Sequence, residues 1–210
     1  MHRRTFLLAA PALALTGCGA AEPVWAPDAF VAANTYVHPG PPMLTLFTMK
    51  NTGSDNGAHT GLMINASQRV IFDPAGTFGH ETIPERNDVH FGITPRVEEY
   101  YQTYHARMTY YLLRQDLQVS PATAEAALRG VMAYGAVPKA KCTIATSEIL
   151  GTLPELGGIR TVLFPDKLSD QFGRIPGVVE SVRRENDSDD KSLAEQAYTE
   201  QLQAAAATGG

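Results

Sequence analysis

Two short apolar segments separated by a polar turn place the strongest constraint on the fold. Positions 59–64 and 69–72 are mostly aliphatic or aromatic, and Asn-Ala-Ser-Gln at 65–68 lies between them. Strand-forming runs on either side of turn-forming residues predict a β-hairpin. Asp73-Pro-Ala-Gly follows, and Pro74 ends the second strand because proline cannot extend a central ladder. The hairpin therefore predicts an antiparallel sheet at the centre of the fold.

Helix signals elsewhere indicate that helices cover this sheet. Ser120 before Pro121 is typical of a helix start, with serine as N-cap and proline at the first helical position. The mixture of strands and helices predicts an α+β fold in one domain, an antiparallel sheet packed against helices. Further strands are predicted at 43–49, 88–93, 108–117 and 178–182, and helices at 97–107, 121–137, 141–153 and 165–172.

The N-terminus has the layout of an export signal. Arg3 and Arg4 precede an apolar run at 6–15, which is too short to span a bilayer. The run ends in Leu-Thr-Gly before Cys18, which resembles the lipobox of bacterial lipoproteins. We therefore predict a signal peptide at 1–17 and acylation of Cys18, the alternative being an ordinary cleaved signal. Arg-Arg-Thr-Phe-Leu also resembles a twin-arginine motif, which would export the folded protein.

The remaining chain divides by composition. Residues 18–40, rich in Ala and Pro, are interpreted as a lipid-anchored tether, residues 41–184 as the folded domain, and residues 185–210 as a polar tail that is disordered or loosely helical and packs on nothing. The net charge of −5 and the absence of a basic cluster argue against nucleic acid as a partner. We expect attachment to an envelope membrane through the lipid, with the domain facing the periplasm.

Cys142 is the only free thiol once Cys18 is acylated. It lies at the predicted N-terminus of a helix, where unpaired N–H groups favour a thiolate, and Lys139 and Lys141 add positive potential. These features favour a nucleophile. The alternative is a buried cysteine that acts as a small apolar side chain.

His59 and Asp73 lie at the two outer ends of the predicted hairpin. A hairpin brings its ends together, so the two residues are predicted to be cross-strand neighbours. His59 would then serve as general base for Cys142, and Asp73 would orient its imidazole. The alternatives are a structural histidine and a turn-forming aspartate before Pro74.

The same residues carry a resemblance to a known superfamily. The run HTGLMINASQRVIFDPAG at 59–76 resembles the histidine strand and following strand of NlpC-type cell-wall cysteine peptidases, and KCTIATS at 141–147 is similar to their nucleophile helix. Histidine precedes cysteine here, an order that matches the circularly permuted papain-like branch, which includes lecithin:retinol acyltransferase relatives and YiiX-like proteins.

This resemblance implies a permuted papain-like fold with Cys142 as nucleophile, His59 as base and Asp73 as orienting residue. It implies a peptidase, amidase or acyltransferase that needs no cofactor or metal, with peptidoglycan peptides or acyl groups as substrates. Lys141 before the cysteine and the lack of glycine after it depart from the pattern. An inactive lipoprotein that binds an envelope partner or peptide is therefore the alternative, and a metal site that combines His80 and His90 with His59 and Asp73 or Glu81 is a weaker one.

The lipobox generates a direct prediction. Replacing Cys18 by serine should abolish incorporation of an alkyne-tagged fatty acid in bacterial cells, because the thiol that accepts the diacylglycerol is lost. In-gel fluorescence measures the incorporation. The matched variant Cys142→Ser should retain the label, and labelled Cys18→Ser protein would show that the acyl group is attached elsewhere.

Overall fold

A single antiparallel sheet forms the framework in the computed structural model, which describes residues 20–208. Cys18 and the export signal lie outside these residues. The sheet has seven strands in the order β4-β5-β3-β2-β1-β6-β7, and every neighbouring pair is antiparallel. The strands are β1 Met43–Asn51, β2 Gly57–Asn65, β3 Arg69–Phe72, β4 Glu85–Arg86, β5 Val89–His90, β6 Tyr110–Gln118 and β7 Val179–Arg183.

Helices pack on both faces of this sheet, so the α+β prediction is confirmed. The described helices are α1 Asp28–Ala33, α2 Pro95–His105, α3 Pro121–Tyr134, α4 Cys142–Gly151, α5 Pro165–Gly173 and α6 Lys191–Thr208, with a 3-10 turn at Pro154–Leu156. Leu62 and Ile64 face a core built with α3, α4 and α5, whereas Met63 and Ile71 face a second core built with α2. None of these helices has the length and apolar character required to cross a membrane.

The predicted hairpin and helix caps are present. β2 pairs with β3 from Leu62–Phe72 to Asn65–Arg69. The Ser120 side chain accepts a hydrogen bond from the backbone N–H of Thr123, as an N-cap should. The predicted strand at 88–93 was too long, because Asp88 and Gly92 adopt positive φ on either side of a two-residue strand.

The segment at 18–40, which we interpreted as a lipid-anchored tether, contacts the sheet in its described part. Trp25 forms an antiparallel bridge with Arg86, and the Ala26 N–H donates to the Glu85 carbonyl. Further along, the Arg69 N–H donates to the Tyr36 carbonyl. Backbone pairing to the edge of the sheet therefore holds this Ala- and Pro-rich segment.

The expectation that the tail packs on nothing was wrong. Ala194 and Tyr198 are buried and Leu202 is half-buried, and their four-residue spacing places them on one stripe of α6. The Tyr198 ring stacks on that of Tyr100 in α2, with centroids 4.4 Å apart and planes 9° apart. The stripe is narrow and flanked by polar residues, so the sequence pattern alone did not distinguish it from a solvated helix.

The packing of α6 predicts a large effect of one substitution. Tyr198→Ala should lower the free energy of unfolding by about 3 kcal/mol, because a buried aromatic ring is removed. Urea unfolding measures the loss. Leu193→Ala, on the exposed side of α6, should change it by about 0.5 kcal/mol or less. Equal stability of Tyr198→Ala and the wild type would contradict the packing of α6.

Candidate active site

The site lies where β3 stops and β2 continues with β1 on its other edge. His59 is near the start of β2, and its Nε2 lies 2.8 Å from Oδ1 of Asp73, which directly follows β3. The two strands last pair at Leu62 and Phe72, and extending that register would set Gly61 opposite Asp73. The contact between His59 and Asp73 is therefore diagonal, two residues along β2 from the direct cross-strand pairing that we predicted.

Gly61 leaves the space for this diagonal contact. A Cβ at this position would lie 2.1 Å from the Tyr101 hydroxyl and 3.3 Å from Oδ1 of Asp73. The Tyr101 hydroxyl donates a hydrogen bond of 2.7 Å to the same carboxylate oxygen. Gly61 thus leaves room for the Tyr101 hydroxyl of α2, which holds Asp73 in position to bond His59.

Cys142 is the first residue of α4 and is 8% exposed. A turn precedes it, in which the Lys141 N–H donates to the Pro138 carbonyl and Ala140 has a φ of 65°. The N-cap residue, Lys141, provides no side-chain hydrogen bond to the first turn. The helix therefore begins at the sulfur, and its first-turn N–H groups are not capped by that side chain.

Two threonines hold the sulfur against the sheet. The Thr143 hydroxyl lies 3.8 Å from the Cys142 sulfur and 3.2 Å from the hydroxyl of Thr60 in β2. All three side chains are buried. The start of α4 is thereby fixed to the strand that carries His59.

The charges of the site stabilise a thiolate and an imidazolium. Burial raises the pKa of the Cys142 thiol, but the hydrogen bond and charge of His59, with help from Thr143 and the Thr60 backbone, outweigh burial and lower it. Burial lowers the pKa of His59, but the charge and hydrogen bond of Asp73 and the contact with Cys142 raise it to about 10. Since Nε2 bonds Asp73, Nδ1 is the ring nitrogen that remains outside this bond.

Asp73 stays ionised although it is buried. Burial raises the pKa of this carboxyl, but the charge and hydrogen bond of His59 outweigh burial and hold it well below its usual range. Gly76 closes the turn after it: its N–H donates to the Asp73 carbonyl, and a Cβ there would lie 1.7 Å from Oδ2. The carboxylate is therefore enclosed by the turn that ends β3.

Two further histidines near Asp73 are neutral. Burial lowers the pKa of His105 to about 3 and that of His90 to about 4, despite the Asp73 charge. His90 is 2% exposed, so its side chain lies in the interior. The His105 ring stacks near that of His59, with centroids 5.9 Å apart, and its Nδ1 lies 2.9 Å from the Tyr101 carbonyl.

The side chains of His59, Asp73 and His105 are the set that could hold a metal ion among residues 20–208. One donor atom from each lies within 4.8 Å of the others. This set shares His59 and Asp73 with the metal alternative but has His105 in place of His80 and His90. Nε2 of His59 and Oδ1 of Asp73 are already hydrogen-bonded to each other, so a metal ion would have to replace that bond.

Sequence reasoning missed Tyr101, Thr143 and His105 as parts of this site. Tyr101 is one of five tyrosines between positions 100 and 111, and no local signal separates it from the others. Comparison with known proteins gives no further guidance: no protein-family model, no curated protein and no solved structure matches the chain.

The close approach at Gly61 predicts a coupled pair of substitutions. Gly61→Ala should lower the free energy of unfolding by about 1–3 kcal/mol because the new methyl group overlaps the Tyr101 hydroxyl. Tyr101→Phe in that background should recover part of the loss by removing the overlapping oxygen. Urea unfolding of the two single variants and the double variant measures the coupling.

Gly79→Ala is the matched control for this pair. A Cβ at Gly79 would meet nothing within 4 Å, so its stability should stay near that of the wild type. If Gly61→Ala proved as stable as Gly79→Ala, the tight contact with Tyr101 would be wrong.

Proposed function

We propose that this chain is an envelope-anchored cysteine hydrolase or acyltransferase with a permuted papain-like fold. Cys142 is the nucleophile, His59 the general base and Asp73 the residue that orients the imidazole. The proposal depends above all on one observation. Cys142 starts a helix whose next residue, Thr143, meets Thr60 on the strand that carries His59, and Nε2 of His59 lies 2.8 Å from a buried carboxylate.

Each part of this arrangement has a chemical use. The thiolate attacks the carbonyl carbon of an amide or ester, and the carbonyl oxygen takes the negative charge. The N–H groups of the first turn of α4 can donate to that oxygen, because helix N-termini favour anions. His59 then gives its proton to the leaving amine or alcohol, and Cys142 keeps the acyl group as a thioester.

The second half of the reaction regenerates the thiolate. His59, now neutral, takes a proton from water or from an acceptor alcohol or amine, and the resulting oxygen or nitrogen nucleophile attacks the thioester. Water as acceptor makes the protein a hydrolase, and another acceptor makes it an acyltransferase. Asp73 stays ionised throughout and stabilises the imidazolium whenever it forms.

The order of elements supports the permuted papain-like fold. Histidine on β2 and aspartate after β3 precede the cysteine at the start of α4, and α4 packs on β2. This is the sequence order expected when the nucleophile helix follows the histidine strand. Acylation of Cys18 would hold the domain in the envelope, where peptidoglycan stem peptides are the natural substrate class.

The ion pair predicts how the thiol reacts with pH. Iodoacetamide should alkylate Cys142 faster than an ordinary thiol at pH 6–7, because the lowered pKa leaves a larger fraction of Cys142 as thiolate. Asp73→Asn removes the charge that raises the pKa of His59, so the pKa of Cys142 should rise. Alkylation of Asp73→Asn at pH 6 should therefore be slower than that of the wild type, by up to about tenfold for each unit of that rise.

Controls separate the ion pair from a general effect on folding. Cys142→Ala should abolish the label, and His59→Gln should give a thiol of ordinary pH dependence. His38→Ala changes a histidine beside Gly40, at the Asn65 end of β2 and far from the sulfur along the strand, and should leave the rate unchanged. Circular dichroism confirms that each variant is folded.

An activity assay then tests the chemistry itself. Mass spectrometry after mixing with a p-nitrophenyl ester or a peptidoglycan peptide should show an acyl group on Cys142 and none in Cys142→Ala. A reactive thiolate that forms no acyl adduct with either class would favour the inactive, partner-binding lipoprotein instead.

A further inference from the structure

A cavity of about 450 Å³ opens beside His59, on the side away from α4. His59 and His105 form part of its wall, and Cys142 does not line it. Two permanent cations, Arg107 and Lys191, line the same space. Arg107 lies in the turn before β6 and Lys191 is the first residue of α6, so two elements from different parts of the chain bring positive charge to one place.

Arg107 is buried without a full set of partners. Its side chain is 5% exposed, and its Nε and Nη2 atoms have no hydrogen-bond partner among residues 20–208. The nearest carboxylate oxygen, on Asp187, lies 3.6 Å from Nη1, and that side chain is mostly exposed. A buried guanidinium with open donors is costly, which indicates that an anion or ordered water completes it.

Lys191 adds a second cation that no acid neutralises. Its Nζ lies 3.1 Å from the Thr77 hydroxyl and 4.4 Å from the centroid of the Tyr104 ring, and no carboxylate in the described chain lies within 4 Å of it. Burial and the Arg107 charge lower the pKa of this amine. The positive charges of Arg107 and Lys191 therefore repel each other.

Asp189 lines the same cavity, and its carboxylate already accepts hydrogen bonds from Thr109. The two carboxylate oxygens of Asp189 accept hydrogen bonds from the backbone N–H and the hydroxyl of Thr109. Among the residues that line the cavity, the two cations and the imidazolium of His59 outnumber the carboxylate of Asp189, although the whole chain carries a net charge of −5. A locally positive cavity in an acidic protein favours an anionic ligand.

We propose that Arg107 and Lys191 bind a carboxylate of the substrate, so that the protein acts on amides or esters that carry a carboxylate close to the scissile carbonyl. This inference rests on the proposed function and adds a substrate class to it. The guanidinium matches the planar geometry of a carboxylate, and the lysine ammonium supplies a second, more adaptable contact. His59 lines the same cavity, so this carboxylate would lie next to the general base.

Binding to a protein that cannot react tests the inference directly. In the Cys142→Ala background, titration calorimetry compares N-acetylalanine with its neutral carboxamide. We expect saturable binding of the carboxylate, weaker binding of the carboxamide and a loss of affinity with added salt. Lys191→Met should weaken carboxylate binding at least about tenfold, because a charge-assisted contact is lost.

Matched substitutions exclude a general charge effect. Lys167→Met removes an exposed lysine on α5, and Arg129→Gln an exposed arginine on α3; both should leave the affinity unchanged. Arg107→Gln should weaken binding like Lys191→Met. If it fails to fold, the half-buried Lys191 still decides the result.

The outcomes distinguish this inference from the proposed function. Equal binding of carboxylate and carboxamide, an unchanged affinity in Lys191→Met, or binding of inorganic phosphate alone would overturn the carboxylate site. Wild-type protein that forms an acyl adduct on Cys142 from a neutral ester would then still support the hydrolase. Carboxylate binding that depends on Lys191, without any acyl adduct, would instead support the anion site and refute the hydrolase.

Discussion

The hydrogen bond between His59 and Asp73 is the contact on which the candidate site depends. A carboxylate that is 1% exposed would be unstable as an anion without a positive partner. The imidazolium of His59 and the hydroxyl of Tyr101 supply that stabilisation, both at Oδ1. The imidazolium in turn lowers the pKa of Cys142. Removing the charge of Asp73 would therefore lower the pKa of His59 and thereby raise the pKa of Cys142.

The end of a strand creates the space for this contact. Pro74 and the turn closed by Gly76 stop β3, so β2 continues past its partner with one edge unpaired. The start of α4 approaches β2 beside this edge, and the hydroxyls of Thr60 and Thr143 meet there. On β2, His59 thereby contacts Asp73, and the neighbouring Thr60 contacts the start of the helix. Antiparallel strands of unequal length are thus a structural requirement of the site.

The surroundings of the site come from segments far apart in the chain. Tyr101 lies on α2, Arg107 precedes β6 and Lys191 begins α6. The polar tail reaches the domain through Ala194 and Tyr198 and so brings Lys191 to the cavity beside His59. A segment that looked dispensable in sequence therefore contributes one wall of the space in which we propose that substrate binds.

The sequence by itself determined the local features of this protein. Apolar periodicity, turn residues and the Ser120 cap depend on neighbours a few positions away, so they indicated the hairpin of β2 and β3, the helices and the α+β class. The same pattern singled out His59, Asp73 and Cys142. Only the tertiary structure decided the diagonal geometry at Gly61, the role of Tyr101 and the packing of both terminal segments. These contacts join residues far apart in the chain, and their energies depend on burial and on distances that packing of the whole domain sets.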